Sequence, residues 1–283
     1  MATPSGSTQT AEQILSEPGA PVVVFDHVSL AFDDKVILKD VSFTLISGHT
    51  KIILGASGAG KSITLKILLG LLKADSGVVW VNGARVDELS EEEMMAVRAN
   101  VGMVFQEGAL FDSLTVRENV GYRLYEETDM PIEDVDARVQ EVLGFVGLGE
   151  FTNRMPSALS GGQRRRVAIA RAMAAKPKIL FYDEATTGLD PITATTVDDE
   201  IIKLRDLEHV SSIVVTHQLR DAFYVATHTA VREKNGEIRI VAADRQKEQE
   251  AEFIMLRDGL IVFEGDADAL RHSTDEYLRT FLS

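Results

Sequence analysis

The chain has 283 residues, 45% of them hydrophobic and 26% charged, which is typical of a globular protein that buries a core. Its 44 acidic and 29 basic residues give a net charge of −15, which argues against a nucleic-acid-binding surface. It contains no cysteine, which excludes disulfides and thiolate metal sites and suits a reducing compartment.

Residues 1–21 are polar and rich in small side chains, and they lack the basic and apolar regions of a signal peptide. We expect them to form a disordered lead-in. No apolar run along the chain reaches the roughly 18–20 residues that are needed to span a bilayer.

Residues 22–32 and 36–46 alternate apolar and polar side chains, with the turn residues Asp33-Asp34 between them. This pattern predicts an antiparallel pair of strands. Phe32 lies at the end of the first strand, where an exposed aromatic ring could stack on a nucleobase. From its spacing along the chain alone, Phe32 is expected to be a core residue instead.

A phosphate-binding loop is predicted by the segment Gly55-Ala56-Ser57-Gly58-Ala59-Gly60-Lys61-Ser62, which fits the pattern G-x-x-x-x-G-K-[ST]. It lies between a predicted buried strand at 51–54 and a predicted helix at 63–72. Ile63, the residue after the loop, is included among the predicted nucleotide-binding residues. Glycines let the backbone N–H groups turn toward a phosphate, and the helix N-terminus adds its positive dipole end. Lys61 can reach the β- and γ-phosphates, and the Ser62 hydroxyl can ligate Mg²⁺. A glycine-rich turn that binds nothing is the weaker alternative, because both flanks also fit.

The middle of the chain changes from mixed to helical patterning. Residues 76–83 predict a strand closed by an Asn-Gly turn, and Ser90 with Glu93 predicts a capped helix start. Residues 101–105 predict a buried strand that ends at Gln106. Helical apolar spacing over 115–125 and 131–146 then predicts an all-helical segment within an α/β chain.

Polar residues end two further predicted strands. The strand at 178–183 ends in Asp183-Glu184, and the strand at 211–216 leads to His217. Asp183 is the expected Mg²⁺ partner, and Glu184 is the best candidate for the general base. Gln106 could touch the metal ion and the attacking water. Predicted helices at 164–175 and 191–207 alternate with these strands, which indicates a mainly parallel sheet.

His217 alone would more often be structural than catalytic. Its position at a strand end in a nucleotide-binding sheet favours the catalytic role.

After residue 227 the pattern predicts strands at 229–231 and 238–241, a charged helix-prone run at 244–252 and a hairpin about Asp258-Gly259. Short helices are predicted at 266–271 and 274–282. In the last helix, Tyr277, Phe281 and Leu282 form an apolar set that a monomer has little reason to carry.

Over residues 22–265 these pieces together resemble the ATP-hydrolysing subunit of an ABC transporter. The resemblance is carried by the phosphate loop, Gln106, the signature Leu159-Ser160-Gly161-Gly162-Gln163, Asp183-Glu184, Gly188-Leu189-Asp190 and His217. It implies an α/β P-loop NTPase with a RecA-like core, an antiparallel β subdomain, a helical insert at about 88–160 and a C-terminal helical extension at 266–283. It also implies that Phe32 occupies the adenine-stacking position.

The same resemblance implies that ATP and Mg²⁺ are the cofactors. In the family, Ser160, Gly161, Gly162 and Gln163 face the γ-phosphate of the opposing subunit, so one cassette must pair with a second copy of itself as a homodimer. The net charge of +7 over residues 151–182, from five arginines and two lysines, fits that task. The implied partner is a transmembrane permease, the implied location is the cytoplasmic face of the inner membrane, and nucleic acid is not an expected partner.

Within the family, residues 105–111, 187–193 and 277–282 resemble the ATPases of Mce/Mla-type lipid transporters. This implies phospholipid transport, with an Mce-type substrate-binding protein and a small cytoplasmic subunit as further partners. Gln163 stands where that group often has Met, Ala185 stands where Pro is common, and the segment at 232–252 is longer than expected. The ATPase of an amino-acid importer therefore remains the alternative.

Other classes of ABC protein fit less well. DNA-repair types carry long coiled-coil inserts and translation types carry two cassettes, and neither feature occurs here. A non-hydrolysing nucleotide sensor tends to lose the catalytic base or the loop lysine, whereas Glu184 and Lys61 are both present.

Overall fold

The computed structural model describes residues 19–282, so the predicted lead-in lies outside the described residues for all but its last three positions. The first part contains strands β1 (Val23–Phe32), β2 (Lys35–Leu45) and β3 (Thr50–Leu54), helix α1 (Lys61–Leu68), strands β4 (Ser76–Val81) and β5 (Ala84–Arg85), helix α2 (Glu91–Arg98) and strand β6 (Val101–Val104). The middle part contains helices α3 (Val116–Glu127) and α4 (Ile132–Phe145), the 3₁₀ turns Gly149–Phe151 and Pro156–Ala158, and helix α5 (Gly161–Ala174).

The last part begins with strand β7 (Ile179–Asp183), helix α6 (Pro191–Glu208), strand β8 (Ser211–Val215), helix α7 (Leu219–Thr227) and strands β9 (His228–Arg232) and β10 (Ile238–Ala242). It ends with helix α8 (Arg245–Glu248), strands β11 (Ala251–Arg257) and β12 (Leu260–Gly265), and helices α9 (Ala267–Arg271) and α10 (Glu276–Leu282). Among the described residues, no helix is both long enough and apolar enough to cross a membrane.

The main sheet has the strand order β12-β11-β3-β8-β7-β6. All neighbouring pairs from β11 to β6 are parallel, and β12 is an antiparallel edge strand, which confirms the predicted mainly parallel sheet. Every residue of β3 and β8 is buried, as expected for strands that are covered on both faces. The carboxyl ends of β3, β7 and β8 therefore lie side by side at one edge.

A second, antiparallel sheet has the order β2-β1-β4-β5. It contains the predicted β1–β2 pair, whose register brings Phe32 opposite Lys35. The hairpin packs closely on the phosphate loop, because a Cβ atom at Gly60 would lie 2.8 Å from Leu38 Cδ2. This contact places the end of β1 beside the nucleotide-loop edge of the main sheet.

Several element boundaries differ from the predicted ones for local reasons. Helix α1 ends before Leu72, because Gly70 adopts a left-handed conformation with a φ of 63°. Helix α5 starts at Gly161, because the Ser160 hydroxyl accepts a hydrogen bond from the Gln163 N–H and forms a capping box. Strand β6 stops two residues before Gln106.

The predicted helical insert at 88–160 is not purely helical. Strand β6 lies within that range and pairs in parallel with β7 of the main sheet. Helices α3, α4 and α5 follow it and share one apolar core with the sheet. The division of the chain into subdomains stays a prediction.

The long segment before β11 folds mainly as strands. The β9–β10 pair confirms the predicted strands around Asn235-Gly236. The helix-prone run at 244–252 is helical only over Arg245–Glu248, since Ala251 pairs with Thr50 and begins β11.

Asp206 of α6 anchors this segment, accepting hydrogen bonds from Thr229 Oγ1 at 2.8 Å and Ala230 N at 2.7 Å. Lys247 Nζ lies 2.9 Å from Asp206 Oδ1. Although burial by itself raises the pKa of Asp206, bonds from Arg205, Ala230 and Lys247 lower that pKa to about 2.

The terminal helix α10 packs on its own chain. Leu278 is buried in the main core, and Tyr277, Phe281 and Leu282 are partly buried against it. The Arg257 guanidinium lies 4.1 Å from the centre of the Tyr277 ring. The expectation that a monomer has little reason to carry this apolar set was therefore wrong.

Candidate nucleotide-binding site

The phosphate loop follows β3 and curls tightly into α1. Gly55 has a φ of 154° and Gly60 a φ of 102°, a region that side chains rarely adopt. A Cβ atom at Gly55 would lie 2.5 Å from the Leu256 carbonyl oxygen. The glycines therefore meet two demands, the backbone conformation and the close approach of neighbouring strands.

Lys61 is 4% exposed, and its Nζ donates to the carbonyl oxygens of Gly55 at 2.8 Å and Ala56 at 3.1 Å. The same ammonium lies 3.5 Å from Glu184 Oε1. A buried cation needs such partners. These bonds hold the ammonium in a fixed position inside the loop.

Ser62 and Asp183 come from different elements and meet directly. The Ser62 hydroxyl donates to Asp183 Oδ1 at 2.7 Å. Burial raises the pKa of Asp183, the neighbouring charge of Glu184 raises it further, and the Ser62 hydrogen bond lowers it.

This hydroxyl–carboxylate pair fits Mg²⁺, which binds through one or two carboxylates plus substrate phosphates. No cluster of three or more His, Cys, Asp or Glu side chains able to hold a metal occurs within residues 19–282.

Glu184 is the residue directly after β7 and is held in an unusual conformation, with a φ of 51°. Its N–H donates to the Val215 carbonyl at 2.9 Å, which turns the side chain toward the loop. Its Oε2 accepts a hydrogen bond from Thr187 Oγ1 at 2.8 Å and lies 2.7 Å from His217 Nδ1. The carboxylate is thus fixed by a hydroxyl on one side and an imidazole on the other.

Most of the predicted site residues line one cavity of about 790 Å³. Its lining contains Phe32, Ala56, Ser57, Gly58, Gly60, Lys61, Ser62, Ile63, Gln106, Glu184 and His217. Gly55 and Ala59 of the loop do not line the cavity. Asp183 does not line it either, although it is hydrogen-bonded to the lining residue Ser62. Phe32 is 45% exposed, so the core position that its spacing favoured was wrong.

Four further residues line the cavity and were missed from the sequence: Lys35, Ile37, Thr187 and Phe281. Lys35 and Ile37 belong to β2, and their alternation predicted only a strand. Thr187 adjoins the Gly188-Leu189-Asp190 turn, which was a usable signal. No sequence signal indicated Phe281, because it reaches the cavity only through the packing of α10.

The signature residues Ser160, Gly161, Gly162 and Gln163 do not line this cavity. Ser160 is exposed at the N-terminus of α5. Gly162 packs against the start of α6, where a Cβ atom would lie 2.2 Å from Thr193 Cγ2. The signature is therefore fixed to its own chain on one side and open on the other.

The basic stretch that surrounds the signature is used inside the fold. Arg164 and Arg166 donate to the carbonyls of Leu159 and Val146. Arg171 donates to the carbonyls of Gly108 and Ala109 at 2.8 and 2.7 Å. These arginines therefore stabilise the fold itself. The positive charge of the stretch does not by itself indicate a surface that faces a phosphate.

Comparisons with known proteins identify the family of this chain. The sequence profile of the ABC transporter family matches residues 38–187. Protein TRIGALACTOSYLDIACYLGLYCEROL 3, chloroplastic, of Arabidopsis thaliana is 37% identical over 99% of this chain and 78% of its own length. The methionine import ATP-binding protein MetN of Bifidobacterium longum is 39% identical over 75% of this chain, which spans 54% of that relative.

Among solved structures, the ATP-binding cassette MJ0796, in a dimeric post-hydrolysis state bound to ADP and Pi, superposes with a TM-score of 0.70. It is 30% identical to this chain, and the match covers 86% of this chain and 98% of that one. The predicted α/β P-loop fold is confirmed by this likeness. The chain belongs to the ABC transporter family, as one of its ATP-hydrolysing subunits.

Proposed function

We propose that the chain powers lipid (phospholipid) transport, as a homodimer bound to a transmembrane permease at the cytoplasmic face of the inner membrane. The observation that carries the catalytic part is that Lys61 and Glu184 line one cavity, and that Asp183 is hydrogen-bonded to Ser62 of the same lining. A cation, a metal-binding carboxylate and a basic carboxylate are what phosphoryl transfer to water requires.

In this proposal the phosphate loop holds the β- and γ-phosphates through its N–H groups and Lys61, and Phe32 stacks on the adenine. Ser62, Asp183 and Gln106 would hold Mg²⁺. When bound, the metal ion neutralises the negative charge that develops on the phosphate oxygens.

Glu184 is the proposed general base for the attacking water, and its adjacent groups set its orientation. Thr187 donates to one carboxylate oxygen, and Lys61 lies beside the other. His217 contacts the same oxygen as Thr187, which holds the carboxylate still while the water approaches.

The dimer is proposed because the cavity lacks the signature residues. Ser160 is exposed and caps the N-terminus of α5, and a helix N-terminus is a favourable place for a phosphate. A second copy placed head to tail would bring its signature to the open side of this cavity. The dimeric structures of MJ0796 support the pairing of two cassettes.

Lipid is the proposed cargo because the relative that matches 99% of this chain carries the name of a galactolipid. The MetN relatives match 75% to 89% of it, at identities of 35% to 39%. An amino-acid-type importer is the alternative that these relatives favour. Purifying the complex with its permease and identifying bound molecules by mass spectrometry tests both, since phospholipid supports the first and a bound amino acid the second.

The permease is proposed to dock beside Phe111. The backbone there is held rigidly, because the buried Asn119 side chain bonds to both the N–H and the carbonyl of Phe111. The Phe111 ring is exposed and lies 4.7 Å from the ring of Tyr122, which is also exposed. Leu110 is packed against the main core, so it offers less surface to the permease than Phe111 does.

An Mce-type substrate-binding protein and a small cytoplasmic subunit complete the proposed complex.

A further inference from the structure

Arg165 occupies an unusual position in the first turns of α5. Its side chain is 7% exposed, and its guanidinium donates hydrogen bonds to backbone carbonyls rather than to a carboxylate. Burial lowers the pKa of Arg165, and the negative charge of Glu107 offsets part of that change. Burying an unpaired guanidinium is costly, so its remaining bonds have to supply the compensation.

Those bonds lead to the segment after the catalytic carboxylate. Arg165 Nε donates to the Ala185 carbonyl at 3.0 Å, and its Nη2 donates to the Thr187 carbonyl at 3.3 Å. The Thr187 hydroxyl in turn donates to Glu184 Oε2. A short chain of bonds therefore connects α5, which begins at the signature, to Glu184.

We propose that Arg165 is a positioning residue that ties the signature helix to the catalytic segment of its own chain and so orients Glu184 through Thr187. This inference rests on the proposed function, in which the signature serves the opposing site. Through Arg165, the end of α5 that meets one nucleotide would be joined to the carboxylate that hydrolyses the other.

The test is a double-mutant cycle of Arg165→Met and Thr187→Val, measured as ATPase turnover in the permease complex. Methionine keeps the length and apolar stem but removes the donors. We expect Arg165→Met to lower kcat by about 10- to 100-fold, the scale for a misplaced catalytic group. KM for ATP should change little, because Lys61 and Ser62 are untouched. In the double variant, Thr187→Val should lower kcat hardly any further, since both changes break the same chain of hydrogen bonds to Glu184.

Arg166→Met is the matched control, because the neighbouring guanidinium donates to Val146 on a different side of the helix. It should change thermal stability without changing kcat, and its effect should be independent of Thr187→Val. If Arg165→Met does not fold, Arg165→Lys takes its place, since it keeps the charge but loses the forked pair of donors.

Normal kcat in a folded Arg165 variant, or fully independent effects of the Arg165 and Thr187 changes, would overturn the inference. Those outcomes leave the proposed function intact, because that function is tested separately by the loss of turnover in Lys61→Ala.

Discussion

The Nδ1 atom of His217 lies 2.7 Å from Oε2 of Glu184, and the two residues are 33 positions apart in the sequence. They meet because β7 and β8 are parallel neighbours whose carboxyl ends share one edge of the sheet. The Glu184 carboxylate is therefore held in place by a residue that follows the neighbouring strand β8.

Replacing Glu184 tests the shared-site mechanism as a whole. Glu184→Gln keeps the size and hydrogen bonding of the side chain but removes the base, so we expect turnover to fall by about 10²- to 10⁴-fold. Since Lys61, Ser62 and Asp183 remain, Mg-ATP should still bind and the ATP-bridged dimer should persist. Size-exclusion chromatography with and without Mg-ATP measures that dimer. Wild-type turnover in this variant would remove Glu184 from its role.

Adding Ser160→Arg to the Glu184→Gln variant should have the opposite effect on the dimer. A bulky side chain at the exposed N-terminus of α5 would block the opposing γ-phosphate, so the ATP-dependent dimer should disappear. Retention of that dimer would contradict the head-to-tail arrangement.

Lys61→Ala should abolish hydrolysis and weaken nucleotide affinity. The buried ammonium is held 2.8 Å from the Gly55 carbonyl and has no substitute in the loop. We expect turnover to fall on the order of 100-fold or more, the scale for losing a preorganised electrostatic donor. Steady-state ATPase assays measure the turnover, and titration with a fluorescent ATP analogue measures the affinity. Unchanged turnover would contradict the assignment of residues 55–62 as the phosphate loop.

Crosslinking from Phe111→Cys should capture the permease in the assembled complex. Leu260→Cys is the control, because it is similarly exposed but lies on β12, at the far edge of the sheet from β6. A folded Phe111→Cys variant that gives no more crosslinking than Leu260→Cys would count against docking at this surface.

Asp206 should contribute stability that depends on pH. Its pKa falls from 3.8 in the unfolded chain to about 2 in the fold, so the folded state favours the ionised form. The contribution is present above about pH 4 and is lost as the pH falls toward 2. Denaturant unfolding of wild type and Asp206→Asn should differ clearly at pH 6 and less at pH 3. A gap that stays constant would show that the charge does not anchor β9 and α8.

Features encoded within a few residues were predictable from the sequence. The phosphate loop, the hairpin about Asp258-Gly259 and the helix start at Ser90 each depend on local hydrogen bonds or backbone conformation. Buried strands were recognisable because a strand covered on both faces needs an unbroken apolar run. For this reason Asp183, Glu184 and His217 could be placed at strand ends before the fold was known.

Only the tertiary structure decided which strand ends meet and which other residues reach the cavity. Phe281 lines the cavity through the docking of α10, and Arg165 finds its carbonyl partners across two elements. Ala251 is drawn into a strand by pairing with Thr50, against the helical tendency of the run that precedes it. Such contacts join residues far apart in the chain, so they depend on strand order and packing, which local patterns do not encode.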